Sequence, residues 1–179
     1  MTSSVAPFLI FYAGALLMAV TKGRIRQMLM LAIPLVGAWN LYTLPTDTVM
    51  TWQVFDYTLT VFQADRMSLL FGYLFHLAAF LGAIYSIHVK DVGETSSAAL
   101  YAGSALGAVF AGDMIILFIF WEMLAITSIF LIVARRTERA NAAALRYIIV
   151  QVLSGVILLA GILLRLHDTG SIAFTHIGL

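Results

Sequence analysis

Apolar residues run in blocks along this chain, with polar residues clustered between them. The blocks cover residues 6–20, 28–44, 67–87, 97–111, 114–134 and 142–164. At about 1.5 Å per residue, each crosses or nearly crosses a hydrocarbon core of about 30 Å. The pattern predicts an all-α polytopic membrane protein of about six transmembrane helices, forming a single membrane domain over 1–179. Pro34 is expected to kink the second helix. The stretch "TLPTDTVMTWQVFDYTLTVFQAD" between spans two and three mixes Thr, Val, Trp, Tyr and Phe with partial alternation. It predicts a short hairpin at the membrane surface, where its aromatics suit the headgroup layer. The tail "HDTGSIAFTHIGL" is too polar and too short for another span.

Composition makes lipid the solvent. The chain is 62% hydrophobic and 11% charged, where soluble domains carry about a quarter charged residues. Its mean hydropathy is +0.99. Lys22, Arg24 and Arg26 follow the first apolar block and no basic residue precedes it. A secretory signal has the opposite order, so the block reads as a first membrane helix. The absence of cysteine excludes disulfides and thiolate metal sites. A net charge of +1 gives no footprint for nucleic acid.

The placement of charge predicts orientation. Loops one, three and five carry Lys22, Arg24 and Arg26, then His88, Lys90, Asp91 and Glu94, then Arg135, Arg136 and Arg139. Loop two carries Asp47, Asp56 and Asp65, with only Arg66 at its end, and loop four is essentially Gly112-Asp113. Basic loops favour the cytoplasm. Both termini are therefore expected on the outer, periplasmic side of a bacterial inner membrane.

Candidate chemistry is confined to a few polar residues inside the spans. Glu122 is the ninth residue of span five, about 12 Å from its outer end. An ionised carboxylate facing lipid at that depth costs about 3 kcal/mol or more, so it must face protein or water and meet a partner. Burial raises a carboxyl pKa and a nearby cation lowers it. A group between those effects can relay protons. His76 is at mid-depth in span three, as either a proton carrier or a neutral imidazole bonded to a backbone carbonyl or hydroxyl. A lone histidine makes a poor metal site, and neither metal nor cofactor is expected.

Other polar residues have blander readings. Gln151 and Ser154 in span six suit interhelical hydrogen bonds. Arg146 either snorkels to the surface or answers an acid. Thr127 and Ser128 fall off the Glu122 face and are expected to pack helices. Asp65, Arg66 and Asp113 are expected to act as interfacial caps. His88, His167 and His176 are placed in solvated loops or tail. Walker, dinucleotide and nucleophile-elbow motifs are absent, so the chain is not expected to be a catalyst alone.

Three stretches together resemble one family. "AGDMIILFIFWEMLAITSIFLIV" resembles the junction of the fourth and fifth helices of antiporter-like membrane subunits, with a GD turn, an apolar run and an aromatic-aromatic-Glu core. "ALRYIIVQVLSGVILLAGILLRLHDTGSIAF" is similar to the following helix, with Arg146-Tyr147 where the family usually reads Lys-Tyr. "ADRMSLLFGYLF" is similar to the start of its third helix. The family includes large subunits of Mrp-type sodium/proton antiporters and the proton-pumping subunits of complex I and of membrane-bound hydrogenases. The resemblance covers most of residues 60 to 179 and is nearest the D-type Mrp subunit.

The resemblance implies that Glu122 pairs with a lysine on a seventh helix, within about fourteen helices arranged as two inverted repeats. This sequence carries only Lys22 and Lys90, both in loops. It is therefore expected to be a split subunit matching the N-terminal half of the family fold. It would supply a half proton channel to an Mrp-like or complex-I-like membrane complex, and a separate chain would bring the lysine. Protons are the expected cargo, with sodium the other candidate ion. The rival expectation is a non-conducting accessory subunit of a respiratory or inorganic-carbon-uptake complex. Quinone binding has only the apolar spans in its favour.

Overall fold

The computed structural model describes residues 5–54 and 57–174. Asp56 and His176 lie outside the described residues. Six helices and one hairpin follow in chain order: α1 (Pro7–Val20), α2 (Arg24–Thr43), β1 (Val49–Val54), β2 (Tyr57–Gln63), α3 (Arg66–Tyr85), α4 (Val92–Val109), α5 (Met114–Val133) and α6 (Glu138–Thr169).

Local chemistry sets the ends of these helices. Asp65 and Ser68 form a capping box at the start of α3, each side chain bonded to the other's backbone N–H. The Ser68 N–H holds the Asp65 carboxyl below its usual range. Thr137 accepts from the Ala140 N–H to open α6, and Gly170, at φ 67°, closes it in the left-handed conformation glycine tolerates. Three helices depart from their expected bounds. Helix α4 starts at Val92 rather than residue 97, because Asp91 caps the Glu94 N–H upstream of the apolar run. Helix α6 covers residues 138–169 rather than 142–164, so His167 sits in its last turn and not in a tail. Helix α2 likewise begins at Arg24, ahead of its apolar block, and is continuous through Pro34.

The arrangement is built around α1 and α4. The buried face of α1 (Phe8, Phe11, Ala15, Met18) packs against α2 and α4. α4 also lies along α5, and α5 along α6. The outward faces remain apolar: Leu145, Ile149 and Val150 of α6 are all strongly exposed. Only 11% of the most apolar window of α6 is buried. Such a surface requires an apolar solvent. Among the described residues, α3, α5 and α6 are long and apolar enough to cross a membrane. α1 is a shorter apolar helix. Gly, Ser and Thr in α4, and the basic first turn of α2, lower the hydropathy of those two. Together these features make the chain an integral membrane protein.

The hairpin is more than a surface ornament. β1 and β2 pair antiparallel with an irregularity between Met50 and Thr51. β1 is largely exposed, but Leu59 and Phe62 of β2 are buried, and Phe62 stacks on Phe110 at 4.8 Å between centroids. Strand β2 is bound to the α4–α5 turn through Gln63 N–H to Phe110 O (2.8 Å) and Gly112 N–H to Thr60 O (3.0 Å). Asp113, 2% exposed, accepts from Ile116 N–H at 2.8 Å and Thr60 N–H at 2.6 Å. The segment after α6 joins here as well, since Met114 N–H donates to Ile172 O and Asp113 bridges Ala173.

Asp113 therefore caps α5 and fastens the hairpin at once. Asp113→Ala is expected to lower stability by about 2 kcal/mol, a cap loss plus one buried N–H left unmet. A thermal unfolding scan in detergent checks this. A midpoint equal to wild type would show that the two bonds contribute nothing.

Candidate functional site

Helix α5 is the most apolar of the long helices, and Glu122 is the only acid in it. The carboxylate points at α6: a Cβ built on Gly155 of that helix would collide with Glu122 Oε1 and lie 3.6 Å from Oε2. Gly155 is buried and leaves the room the carboxylate occupies. Glu122 Oε1 is itself buried and has no hydrogen-bond partner among the described residues. Nor does any ion pair reach Glu122 there. The end of the Glu122 side chain occupies the room that a Cβ at 155 would take, and the sign of this in the sequence is a Gly inside an otherwise bulky apolar run.

The other residues singled out in span six divide. Gln151 is half-buried and four residues before Gly155, so it shares that helix face. Arg146 is exposed and nine residues from Gly155, about 13.5 Å along the axis. The structure does not bring it to Glu122. Thr127 donates to Met123 O at 2.8 Å, and the Ser128 hydroxyl lies 2.9 Å from Tyr147 Oη, joining α5 to α6. Both serve packing, as their offset from the Glu122 face implies.

His76 belongs to a different compartment, among α1, α2 and α3. It is 2% exposed, and its ring meets the Phe11 ring edge-on at 5.4 Å. Nδ1 is 2.7 Å from Gly72 O. A carbonyl only accepts, so Nδ1 carries the hydrogen and Nε2 presents its lone pair in the neutral ring. Nε2 is buried without a hydrogen-bond partner and faces Gly37, where an added Cβ would lie 2.5 Å from it. The backbone-bonded imidazole is thus what the structure holds, with one nitrogen left uncommitted. Among the described residues no cluster of three or more His, Cys, Asp or Glu is suited to a metal ion.

Two mid-helix titratable groups therefore sit against glycines of neighbouring helices, each with one buried, unmet polar atom. A buried polar atom without a partner costs about 1–3 kcal/mol, and is retained where something else engages it.

Comparison with known proteins gives a consistent picture. Residues 111–179, which contain Glu122 and Gly155, match the family described as NADH:quinone oxidoreductase/Mrp antiporter, transmembrane. Na(+)/H(+) antiporter subunits A1 of Staphylococcus aureus strains RF122 and JH9 are 31% identical over 118 residues, 63% of this chain. These relatives are A-type subunits rather than the D-type the resemblance pointed to. The aligned region spans 15% of the length of each. Among solved structures, the archaeal membrane-bound sulfane sulfur reductase aligns with a TM-score of 0.84 at 20% identity, covering 96% of this chain and 29% of the other. The Mrp complex from Dietzia sp. DQ12-45-1b aligns with a TM-score of 0.77 at 24% identity, covering 93% and 20%. Those two likenesses establish the fold.

Proposed function

Residues 111–179 belong with the antiporter-like membrane subunits, and from that premise we propose that this chain contributes a half channel for protons to a multi-subunit cation/proton-translocating membrane complex. Glu122 is its relay carboxylate. The observation that carries this reading is the buried Oε1 of Glu122, which no donor or cation among the described residues meets. A carboxylate in that position is completed by a proton, by water or by a cation from beyond these residues. Exchange among those three states is what a relay needs. The lysine that the family resemblance implies is the candidate cation, and it must come from outside residues 1–179 because Lys22 and Lys90 sit outside the helices.

His76 is the second protonatable point in this reading, with Nε2 as the atom that takes the proton. Gln151, on the Gly155 face, supports water or the carboxylate near Glu122. In the membrane all six helices cross, with the basic loops on the cytoplasmic side and both termini outside. Helix α1 crosses as a short apolar helix, and α2 and α4 cross as partly polar ones.

The reading is tested in everted vesicles from a strain carrying the whole complex, with and without this chain. A pH-sensitive dye reports cation-dependent proton movement. Loss of that signal on deletion, restored by the gene in trans, is expected. A full signal without the chain, the remaining subunits being assembled, would refute it.

A further inference from the structure

The basic loop between α5 and α6 plays no part in the relay proposed at Glu122. Where that loop meets the two helices lies a groove of about 430 Å³. Leu131 and Ile132, in the last turn of α5, make one wall. Ala140 and Ala143, in the first two turns of α6, make the other. Small side chains facing larger ones leave the space open. Arg135 and Arg139 line the same groove, and both are exposed. Thr137, also in the lining, is committed to capping the Ala140 N–H. One turn toward the middle of the helices, the hydrogen bond between Ser128 and Tyr147 ties α5 to α6 beneath the groove.

The charges at this end are unequally answered. Arg136, between the two lining arginines in sequence, pairs with Asp91 at 2.5 Å. Arg135 and Arg139 have no ion-pair partner among the described residues. Glu138 is the one acid among residues 135–139, so positive charge is in excess. Arg139 and Ala143 share a face of α6 that continues through Arg146 to Val150, Leu153 and Ile157, at the helical spacing of three and four. Those last three are 67%, 60% and 64% exposed. Arg146 has an apolar stem, and helical side chains lean toward the N-terminus, here toward the groove. The groove therefore has cations at its rim and an apolar strip leading away from it along the exposed side of α6.

We infer that this groove seats the headgroup of one anionic phospholipid, with its phosphate between Arg135 and Arg139 and an acyl chain along the strip from Val150 to Ile157. The charge of the rim and the change of polarity below it select this occupant. Two exposed guanidiniums without carboxylates attract an anion, and phosphate is an anion that their planar donors match. An apolar strip that starts at the rim suits a chain attached to that anion. A free phosphate would leave the strip bare. Basic pockets between membrane helices recur as sites for anionic headgroups. The volume is within the range of small-molecule sites, about 300–1,000 Å³, which gives room for the headgroup and the first methylenes.

The test uses the chain within its complex, in phosphatidylcholine nanodiscs doped with phosphatidylglycerol that carries a photoactivatable group high on one acyl chain. Labelling is expected on residues 131–132 and 140–143. It should exceed labelling by the same probe with a choline headgroup by about 25-fold, a factor of about five for each lining arginine. Arg135→Gln or Arg139→Gln alone should cut that preference about fivefold, and the two together should remove it. Lysine at both positions should keep most of it. Arg24→Gln, which removes an equal charge from the first basic loop and outside the lining, should leave it unchanged. Ala143→Leu, which fills the groove from its wall, should abolish the labelling with both arginines intact. Excess inorganic phosphate should not compete. Equal labelling by the two headgroups would overturn the proposal, as would a preference that survives the double glutamine variant or falls as far in Arg24→Gln. Labelling indifferent to Ala143→Leu or displaced by inorganic phosphate would overturn it too. If these residues crosslink instead to another subunit, the groove is a protein interface and the proposal fails. Should the variants not assemble, the headgroup comparison and the phosphate competition on the wild-type chain decide it.

Discussion

Glu122→Gln, introduced into the assembled complex, is expected to cut proton-coupled transport about 100-fold while leaving assembly intact. The amide keeps the size and shape of the carboxyl group, so the contact with Gly155 is preserved. It removes the ability to gain and lose a proton, and a positioned proton-transfer group is worth about 100-fold or more. Packing should change little, because Oε1 makes no hydrogen bond among the described residues that the substitution would break. Initial rates of dye response in vesicles, normalised to the amount of complex, provide the measurement. Normal assembly with an unchanged rate would remove Glu122 from the pathway and favour the accessory-subunit reading.

The second large effect is expected at Gly155, and it depends on Glu122. In the wild-type background Gly155→Ala should destabilise by about 1–3 kcal/mol, the usual cost of forcing volume into a packed helix interface. With Glu122→Ala the obstructing carboxylate is gone. The same substitution should then be neutral or stabilising by up to about 1 kcal/mol, since alanine is the better helix former. Thermal midpoints of the four proteins form a double-mutant cycle that isolates the contact. Equal penalties in the two backgrounds would mean that Gly155 does not seat the carboxylate.

The positions of the helices are legible in the sequence because lipid-facing residues must be apolar on nearly every side, which leaves long unbroken blocks. Helix ends are less legible for the same reason. Hydropathy reports where the chain is apolar, while helices continue until a cap stops them. Asp91 and Thr137 extend α4 and α6 into polar residues that no apolar count would include. Glu122 stands out as an acid in an apolar run, and the GD turn before α5 marks a cap. Its second bond, to the Thr60 N–H of β2, joins residues 53 positions apart and has no local sign. Gly155 and Gly37 belong to that class too. A glycine in a membrane helix announces close packing, but only the fold shows that what it packs against is Glu122 in one case and His76 in the other.

The turn at Gly112-Asp113 bears on how α5 and α6 can move. At that end α5 is fastened to β2 and to the stretch following α6 through Thr60, Ile172 and Ala173. At its other end the short connection from Ala134 to Thr137 fastens it to the start of α6. The two helices are thus held like a bow and its string, tied at both tips. Glu122 and Gly155 face each other between the two ties, near the middle of both helices.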